Sequence, residues 1–455
     1  MRFNTFGNDH ISSKWGVWPA GFLGFFAGGL LWIGWAVGSG TGHPSEMMLW
    51  AEQGESAPSG GPPALSVYPS EPQDSTPKGM VYLPGEFEPQ EAIVLPAGLL
   101  AQRYPQLLAA MLEAIEEHTA VVGLVSDARQ RDKVEKLLAD RKTLRRGLRL
   151  VEIPHNTLWI RDYGPIFFRF PDAHPGAYDA EYPDPRRRLD DAVPARLAAL
   201  FGASVFPLPM VLEGGNFLTN GRGIGLTTTQ AVLRHGGPSA SEASFRQFLY
   251  QYLGIDSLVI LEPLAGEPTG HVDMFACFTA PDTVLVGQYD PKEDPENAAI
   301  LDRNAAALAG CRTSAGPLRV IRLPMPTHRD GVWRTYSNVV FANRVLLVPV
   351  YPTVDPAGSE KALETFRHAT PGRKVIGIDA SELIGAGGGL RCITLGVPSP
   401  GHGGPLGAAI GGGSALAWSR KRLPMSNAIS FWEAIPSFSW SFTGRGFCPS
   451  ATNRP

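Results

Sequence analysis

The sequence predicts an α/β fold in which helix–strand units repeat around a common centre. Residues 244–264, 304–325 and 360–380 each contain an amphipathic helix followed by a short apolar strand that ends near Pro or Asp. Similar units recur at intervals of roughly 60 to 110 residues, which is typical of repeated supersecondary structure. The periodicity alone also allows an ordinary open α/β sheet.

The first part of the folded region predicts alternating strands and helices. A strand is expected at 91–97, an amphipathic helix at 104–118 and a second strand at 120–126. A charged helix follows at 127–141, and a third strand covers 148–155. The assignments rest on apolar residues at helical spacing and on short runs rich in Val, Ile and Leu.

The N-terminal region has the composition of a membrane-spanning helix. Residues 16–38 carry no charged side chain and approach the ~20 residues that a helix needs to cross a bilayer. Arg2 and Lys14 precede this run, so the positive-inside rule predicts that residues 1–15 are cytoplasmic. We therefore expect a retained anchor, or alternatively a cleaved signal sequence. The rest of the chain would then be periplasmic, on the cell surface or secreted.

Two segments of biased composition flank the predicted folded domain. Residues 39–79 are rich in Pro, Ser and Gly and lack apolar periodicity, which is typical of a flexible linker. Residues 399–455 contain a Gly/Ala-rich apolar stretch, a short basic run and a Ser-rich aromatic end, and we interpret them as a low-complexity tail. These boundaries leave residues 80–398 as one folded domain.

The composition argues against several classes of function. A net charge of -3 is unlike a general nucleic-acid binder, which usually carries a basic face. The four cysteines are scattered without a Cys-x-x-Cys pair, so neither a disulfide framework nor a zinc site is expected. No Lys-Ser or Lys-Thr pair follows the glycines at 385–389, which excludes a phosphate loop there. We expect neither a metal nor an organic cofactor.

Polar and reactive side chains follow the predicted units at comparable positions. In a radially repeated fold, equivalent loops converge at one end of the axis. A site built from one or two residues of each unit is therefore expected. The candidates are Asp162, Glu213, His271, Asp273, Asn338 and Cys392.

This set of residue types fits a guanidinium substrate. Carboxylates match the planar fork of N–H donors of a guanidinium, and flanking anions hold its carbon in place. The Cys392 thiolate would add to that carbon, and His271 would protonate the departing ammonia and then activate water. A cationic substrate beside Cys392 would also favour the thiolate.

Five motifs in a fixed order resemble one known family. They are WIRDYGP (159–165), LEGGN (212–216), TGHVDMF (269–275), TYSN (335–338) and GGGLRCIT (387–394). Together with GEFEPQEAIVL near the start of the domain, they resemble the agmatine deiminase and bacterial, Porphyromonas-type peptidyl-arginine deiminase family. That family belongs to the guanidino-group-modifying superfamily. The resemblance implies a five-bladed α/β propeller of the pentein type.

The resemblance also implies an activity and roles for residues. The activity is hydrolysis of a guanidinium on arginine, peptidyl-arginine or agmatine, through a covalent intermediate on cysteine, to a ureido product and ammonia. Cys392 matches the nucleophile and His271 the general acid and base. Asp162 and Asp273 match the carboxylates that hold the guanidinium, and Glu213 matches the carboxylate that supports the histidine and a substrate nitrogen.

Three further residues are candidate substrate contacts. Asn338 resembles an asparagine near the site of secreted members, and Trp159 opens the motif that contains Asp162. Arg391 stands where agmatine deiminases usually carry His, and we hypothesise that it pairs with a substrate carboxylate. Asn156 replaces a residue that is often acidic in the family, and GEPTGHVD (266–273) lacks the usual Asp before Gly-His. These departures favour substrates with arginine at a peptide terminus.

Three alternatives remain open. An agmatine deiminase of polyamine synthesis would share the motifs, although a membrane anchor argues against the cytoplasmic location expected for it. An amidinotransferase would use an amine in place of water as the acceptor. A propeller without catalytic activity could instead bind arginine-containing ligands. The sequence does not address the oligomeric state.

Overall fold

The computed structural model describes residues 81–399, except 116, 141–146, 183 and 185. The predictions for residues 1–15, 16–38 and 39–79 lie outside the described residues, as does the tail after Ser399. None of the helices in the described part of the chain is both long enough and apolar enough to cross a membrane.

The first sheet joins the two ends of the described chain. Its strands are β1 (Gln90–Leu95), β2 (Ala120–Val125), β3 (Leu148–Glu152) and β18 (Leu395–Pro398). They lie in the order β18-β1-β2-β3. Strand β18 is antiparallel to β1, whereas β1, β2 and β3 run parallel. The strand that follows Cys392 is therefore held by the first strand of the domain.

Four three-stranded sheets repeat one pattern. In each, the first strand is antiparallel to the second, and the second is parallel to the third. The sheets are β4 (Ile166–Arg169), β5 (Pro175–Glu181) and β6 (Ser204–Val211); β7 (Leu218–Thr219), β8 (Ile224–Thr228) and β9 (Ser257–Leu261); β10 (Ala276–Ala280), β11 (Thr283–Gln288) and β14 (Arg319–Pro324); and β15 (Val340–Ala342), β16 (Val345–Val350) and β17 (Lys374–Asp379). A short hairpin of β12 (Arg312–Thr313) and β13 (Gly316–Pro317) precedes β14.

Helices occupy the connections between parallel strands of a sheet, which require a crossover, and two short helices, Ile160–Tyr163 and Ser381–Ile384, connect one sheet to the next. In chain order, the helices are α1 (Ala97–Arg103), α2 (Pro105–Ile115), α3 (Ala128–Leu137), α4 (Ile160–Tyr163), α5 (Arg188–Asp191), α6 (Val193–Leu200), α7 (Thr229–Gly236), α8 (Glu242–Leu253), α9 (Pro295–Ala309), α10 (Pro356–Ala369) and α11 (Ser381–Ile384). The alternation of helix and strand confirms the predicted α/β class.

Local signals in the sequence account for several helix ends. Asp294 and Asp355 accept hydrogen bonds from backbone N–H groups in the first turns of α9 and α10, and a proline follows each cap. Gly254 adopts a left-handed conformation after α8, with φ of 64°. These caps set the points at which the chain turns back toward the next strand.

The largest apolar cluster joins four of the five sheets, whereas the buried side chains of the β4-β5-β6 sheet lie in two further clusters. Leu108 and Met111 on α2 are fully buried in the same cluster as Leu285 of β11 and Leu347 of β16. Burial of side chains of this size stabilises the fold by about 1.5–3 kcal/mol each. This packing gives the loops that enter each sheet a rigid base.

Candidate active site

Each of the five sheets presents a predicted site residue immediately before its first antiparallel strand. A short helix or turn precedes strands β4, β7, β10, β15 and β18 in the described chain. The residues carried there are Asp162, Glu213, His271 with Asp273, Asn338 and Cys392. Side chains that are far apart in sequence are thereby supplied by equivalent positions of the fold.

Cys392 is held by a loop in which glycines are required for packing. A Cβ atom on Gly389 would lie 2.5 Å from Asn338 Oδ1, and one on Gly388 would lie 2.4 Å from the Trp159 ring and 3.1 Å from Cys392 Cβ. Asn338 Nδ2 donates to Cys392 Sγ at 3.4 Å, and the Arg391 backbone N–H donates to Asn338 Oδ1 at 2.7 Å. Asn338 therefore borders the thiol, and Trp159 packs against the glycine loop that precedes it.

The position of Asn338 is fixed through the loop that precedes β15. Ser337 Oγ donates to the backbone oxygen of Asp273 at 2.9 Å, and Thr335 Oγ1 lies 2.9 Å from Ser337 Oγ. Asn338 itself is fully buried. These contacts connect the loop bordering Cys392 to the turn that carries His271.

His271 lies between two carboxylates. Its Nε2 is 3.1 Å from Glu213 Oε2, and its Nδ1 is 3.9 Å from Asp162 Oδ1. The Gly215 backbone N–H donates to Asp162 Oδ1 at 2.8 Å. A Cβ atom on Gly215 would lie 2.5 Å from His271 Nδ1 and 2.7 Å from Asp162 Oδ1, so this position admits only glycine without displacement of the site.

Asp273 has one carboxylate oxygen in an ion pair and one without a partner. Oδ2 lies 2.8 Å from Arg391 Nη1, whereas Oδ1 is buried and has no hydrogen-bond partner among the described residues. Burial raises the pKa of Asp273, against the opposing effects of Arg391 and His271. A buried carboxylate oxygen without a donor is costly unless a ligand supplies one.

The environment of Cys392 opposes ionisation of its thiol. Burial raises the pKa of Cys392 well above its ordinary value, and the negative charges of Asp273 and Asp162 raise it further. Hydrogen bonds from the Gly389 backbone and the Asn338 side chain act in the opposite direction. A cation placed among these carboxylates would remove much of the negative field and favour the thiolate.

The hypothesis that Arg391 binds a substrate carboxylate is wrong. The guanidinium is buried and its five N–H donors are used within the protein, by Glu86, Asp273 and the backbone oxygens of Gly215 and Phe217. Glu86 also pairs with Arg161 at 2.9 Å. Burial opposes ionisation of Glu86, but Arg161 and Arg391 lower its pKa from 4.5 to about 2.

Sequence reasoning missed two charged residues at the site. Glu86 lies within the opening GEFEPQEAIVL segment but received no role, and its partner Arg391 is 305 positions away. Arg234 belongs to none of the motifs, yet it forms an ion pair with Glu213. Only the charged types of these residues could have drawn attention to them, because no local pattern indicates such distant partners.

A cavity of about 850 Å³, which includes its open mouth, adjoins the ion-pair network. Glu86, Arg161 and Arg391 line it, whereas Cys392 and His271 do not. No group of three or more His, Cys, Asp or Glu side chains in the described residues is arranged to hold a metal ion.

The described part of the chain is similar to known proteins along nearly its whole length. Residues 82–398 match the family model of Porphyromonas-type peptidyl-arginine deiminase. A Marinomonas sp. protein provisionally named agmatine deiminase is 27% identical over 363 residues, which cover 70% of this chain and 94% of that protein.

Solved structures of the same fold give a consistent result. A provisionally named arginine deiminase from Porphyromonas gingivalis is 28% identical with a TM-score of 0.61, over 70% of this chain and 98% of that one. The agmatine deiminase of Enterococcus faecalis is 23% identical with a TM-score of 0.59, over 70% and 96% of the two chains. The second likeness bears on the fold alone.

Proposed function

Because the chain belongs to the Porphyromonas-type peptidyl-arginine deiminase family, whose members hydrolyse guanidino groups, we propose that Cys392 attacks the guanidinium carbon of an arginine-like substrate. The observation that carries this proposal is the free Oδ1 of Asp273, which is buried beside the ion pair with Arg391. A substrate guanidinium would supply the missing donor there. Asp162 would hold a second edge of the same planar group, and Glu213, which lies beside His271, would accept a hydrogen bond from a further substrate nitrogen.

The reaction follows from the charges around Cys392. Binding of the cation between Asp162 and Asp273 favours the thiolate, and the thiol proton passes to His271. The sulfur then forms a bond to the guanidinium carbon. His271 returns the proton to a nitrogen of the adduct, and the bond between that nitrogen and the carbon breaks. Ammonia leaves, and the amidino group stays bound to the sulfur of Cys392.

The second half of the reaction restores the cysteine. His271 takes a proton from water, and the resulting hydroxide adds to the amidino carbon. The C–S bond breaks, Cys392 leaves as a thiolate and recovers its proton from His271, and the ureido product forms. The hydroxyl proton lost as the C=O bond forms is taken up by the released ammonia, so that one water is consumed for each guanidinium converted.

A panel of substrates tests the proposal. Free arginine, a peptide with C-terminal arginine and agmatine should be incubated with the protein, and ammonia and ureido product measured. We expect turnover of at least one of them and its loss in Cys392→Ala. Turnover that survives this substitution contradicts the thiolate mechanism, and turnover of none contradicts the activity.

Agmatine is the second candidate substrate. The provisional name of the Marinomonas relative favours it. Arginine at a peptide terminus is favoured by the absence of an Asp before Gly270 and His271 in GEPTGHVD. With Arg391 committed to Glu86 and Asp273, recognition of a substrate carboxylate would need another residue. The ratio of kcat/KM for agmatine and for the arginyl peptide decides between the two.

The five sheets support a five-bladed propeller. We infer that each sheet is one blade, with β4, β7, β10, β15 and β18 nearest to the central axis. The equivalent placement of a site residue before each of these strands supports this arrangement. Pairing of β1 with β18 would close the ring.

We also propose that residues 16–38 anchor the protein and place the catalytic domain outside the cytoplasm. The uncharged run and the preceding Arg2 and Lys14 support this. Cell fractionation and protease digestion of intact spheroplasts would test it, with a variant lacking residues 1–38 as the control. Recovery of the full-length protein in the cytoplasmic fraction would contradict it.

A further inference from the structure

Arg234 lies at the reaction centre without a role in the proposed reaction. It is in the last turn of α7, and its Nη1 pairs with Glu213 Oε2. The same nitrogen lies 3.4 Å from His271 Nε2, and Nη2 donates to the backbone oxygen of Thr269 at 2.9 Å. The guanidinium group of Arg234 is therefore paired with Glu213, a carboxylate of the candidate site.

The backbone that carries Arg234 is tied to the loop that carries His271. Thr228 caps α7 by accepting a hydrogen bond from the Gln230 N–H, and its hydroxyl donates to the Gly270 backbone oxygen at 2.6 Å. The helix also buries Ala231 and Val232. The start of α7 and the His271 loop are thus fixed relative to each other. The part that can move here is the long side chain of Arg234.

Arg234 and Arg391 differ in their capacity to move. The Arg391 side chain is 3% exposed, and its five donors are used, so it is a permanent part of the structure. The Arg234 side chain is 31% exposed, and its partner Glu213 is 21% exposed. Solvent can therefore hydrate the Arg234 head group if it leaves Glu213.

The chemistry of Arg234 matches the chemistry of the substrate. Glu213 cannot offer the same oxygen to Arg234 and to a substrate nitrogen at once, and two guanidinium groups in contact would repel each other. A carboxylate that binds one guanidinium through charge-assisted hydrogen bonds will bind another in the same way. The two groups must then compete.

We propose that Arg234 is an internal competitor of the substrate, which occupies Glu213 in the free protein and is displaced when a substrate guanidinium binds. This inference rests on the proposed function, because it requires that a guanidinium group enters the site. Arg234 thus raises the concentration of substrate needed to fill the site. It also limits binding to ligands that bring a cation able to replace it.

Direct binding in the absence of turnover tests the competition. Arginine and agmatine serve as probes for isothermal titration calorimetry with Cys392→Ala and with the double variant Cys392→Ala/Arg234→Gln. We expect Kd of the bound probe to fall on the order of tenfold in the double variant, because the binding-competent fraction is no longer reduced. Arg234→Lys, which keeps the charge but lacks the planar fork, should give a smaller gain.

A control variant separates competition from a general loss of charge. Arg303 on α9 forms an exposed ion pair with Glu262 outside the candidate site, and Arg303→Gln in the same background should leave Kd unchanged. Weaker or unchanged binding by the Arg234→Gln double variant overturns the proposal. Circular dichroism spectra identify a variant that has failed to fold, and the lysine variant then carries the test.

Kinetics with an intact Cys392 give a second readout. Arg234→Gln should lower KM on the order of tenfold, with kcat changed by less than about threefold. A fall in kcat without a change in KM would make Arg234 a positioning residue for His271 and overturn the proposal. Absence of both binding and turnover in the parent proteins would instead refute the proposed function.

Discussion

In the proposed reaction, the protonation state of the Cys392 thiol determines when the site becomes reactive. Burial and the charges of Asp273 and Asp162 raise its pKa, so the thiol predominates at neutral pH in the free protein. The thiolate is the nucleophilic form. Under the proposed function, Asp162 and Asp273 would bind the substrate cation, and the same two carboxylates oppose ionisation of the nucleophile until that cation arrives.

This coupling predicts a strong preference for cationic alkylating agents. 2-Chloroacetamidine should inactivate the protein at least about tenfold faster than neutral 2-chloroacetamide, after each rate is divided by its rate with free cysteine. The reason is that a pKa lowered by one gives about tenfold more thiolate. Mass spectrometry should place the label on Cys392 and not on Cys277, which is buried in the apolar core. Equal normalised rates would contradict the coupling.

At the residue scale, the sequence predicted which residues form the candidate site but not which charged residues pair with them. The candidate residues Asp162, His271 and Cys392 could be selected because each stands in a motif of characteristic composition. The partner of Arg391 could not be predicted, since Glu86 approaches it from the other end of the domain. The error about Arg391 arose because an unpaired arginine and a buried, fully bonded one are identical in sequence.

At the scale of elements, the strands were predicted more accurately than the helices. The strand expected at 91–97 is observed as β1, Gln90–Leu95. The helix expected at 104–118 is preceded by an unpredicted helix at Ala97–Arg103 and begins anew at Pro105. Proline fits the first turn of a helix but interrupts a continuous one, which accounts for the division.

The turn that enters β7 depends on the absence of a side chain at Gly215. Gly215→Ala would push a methyl group against His271 and Asp162, and we expect a loss of kcat/KM on the order of 10²-fold with the fold preserved. Steady-state kinetics and the thermal midpoint measure both effects. Gly385→Ala is a matched control, because its Cβ would meet only an ordinary contact of 3.5 Å. An active Gly215→Ala protein would contradict the close packing described for this turn.

Glu86, in the segment before β1, forms ion pairs with Arg161 and Arg391. The contribution of these ion pairs to the stability of the fold therefore depends on pH. Arg161 and Arg391 lower the pKa of Glu86, against the effect of burial, to about 2 from 4.5 in the unfolded chain. Its contribution is therefore fully present above about pH 4.5 and is lost as the pH falls toward 2.

Comparison with Glu86→Gln tests this dependence. The thermal midpoint of the native protein should exceed that of the variant at pH 6, and the difference should shrink progressively between pH 4.5 and 2. Glu360→Gln, which removes an exposed ion pair with Arg367, should differ little from the native protein at any pH. A difference for Glu86→Gln that stays constant across this range would contradict the assigned pairing.

At the scale of the whole molecule, the sequence periodicity indicated repeated units but could not show how their ends meet. Equivalent loops were expected to converge, and each of the five sheets does present its site residue just before the strand that runs antiparallel to its neighbour. The pairing of β18 with β1 is a contact between the first and last described strands. The repeat period of a sequence does not predict whether its first and last units pair. Here the resemblance to a known family supplied the expected closed arrangement.

Pairing of β1 with β18 predicts that residues 80–399 form an autonomous catalytic unit. The first sheet takes strands from both ends of this range, with Val94 opposite Leu395 and Ile93 opposite Gly396, so the range contains both edges that must meet. We expect a fragment of residues 80–399 to fold and to retain kcat/KM within about threefold of the full chain. A fragment ending at residue 394 would lose β18, expose β1 as an unpaired edge and release the loop of Cys392. It should lack both a cooperative thermal transition and activity, whereas cooperative unfolding of this shorter fragment would show that pairing of β1 with β18 is dispensable for the fold.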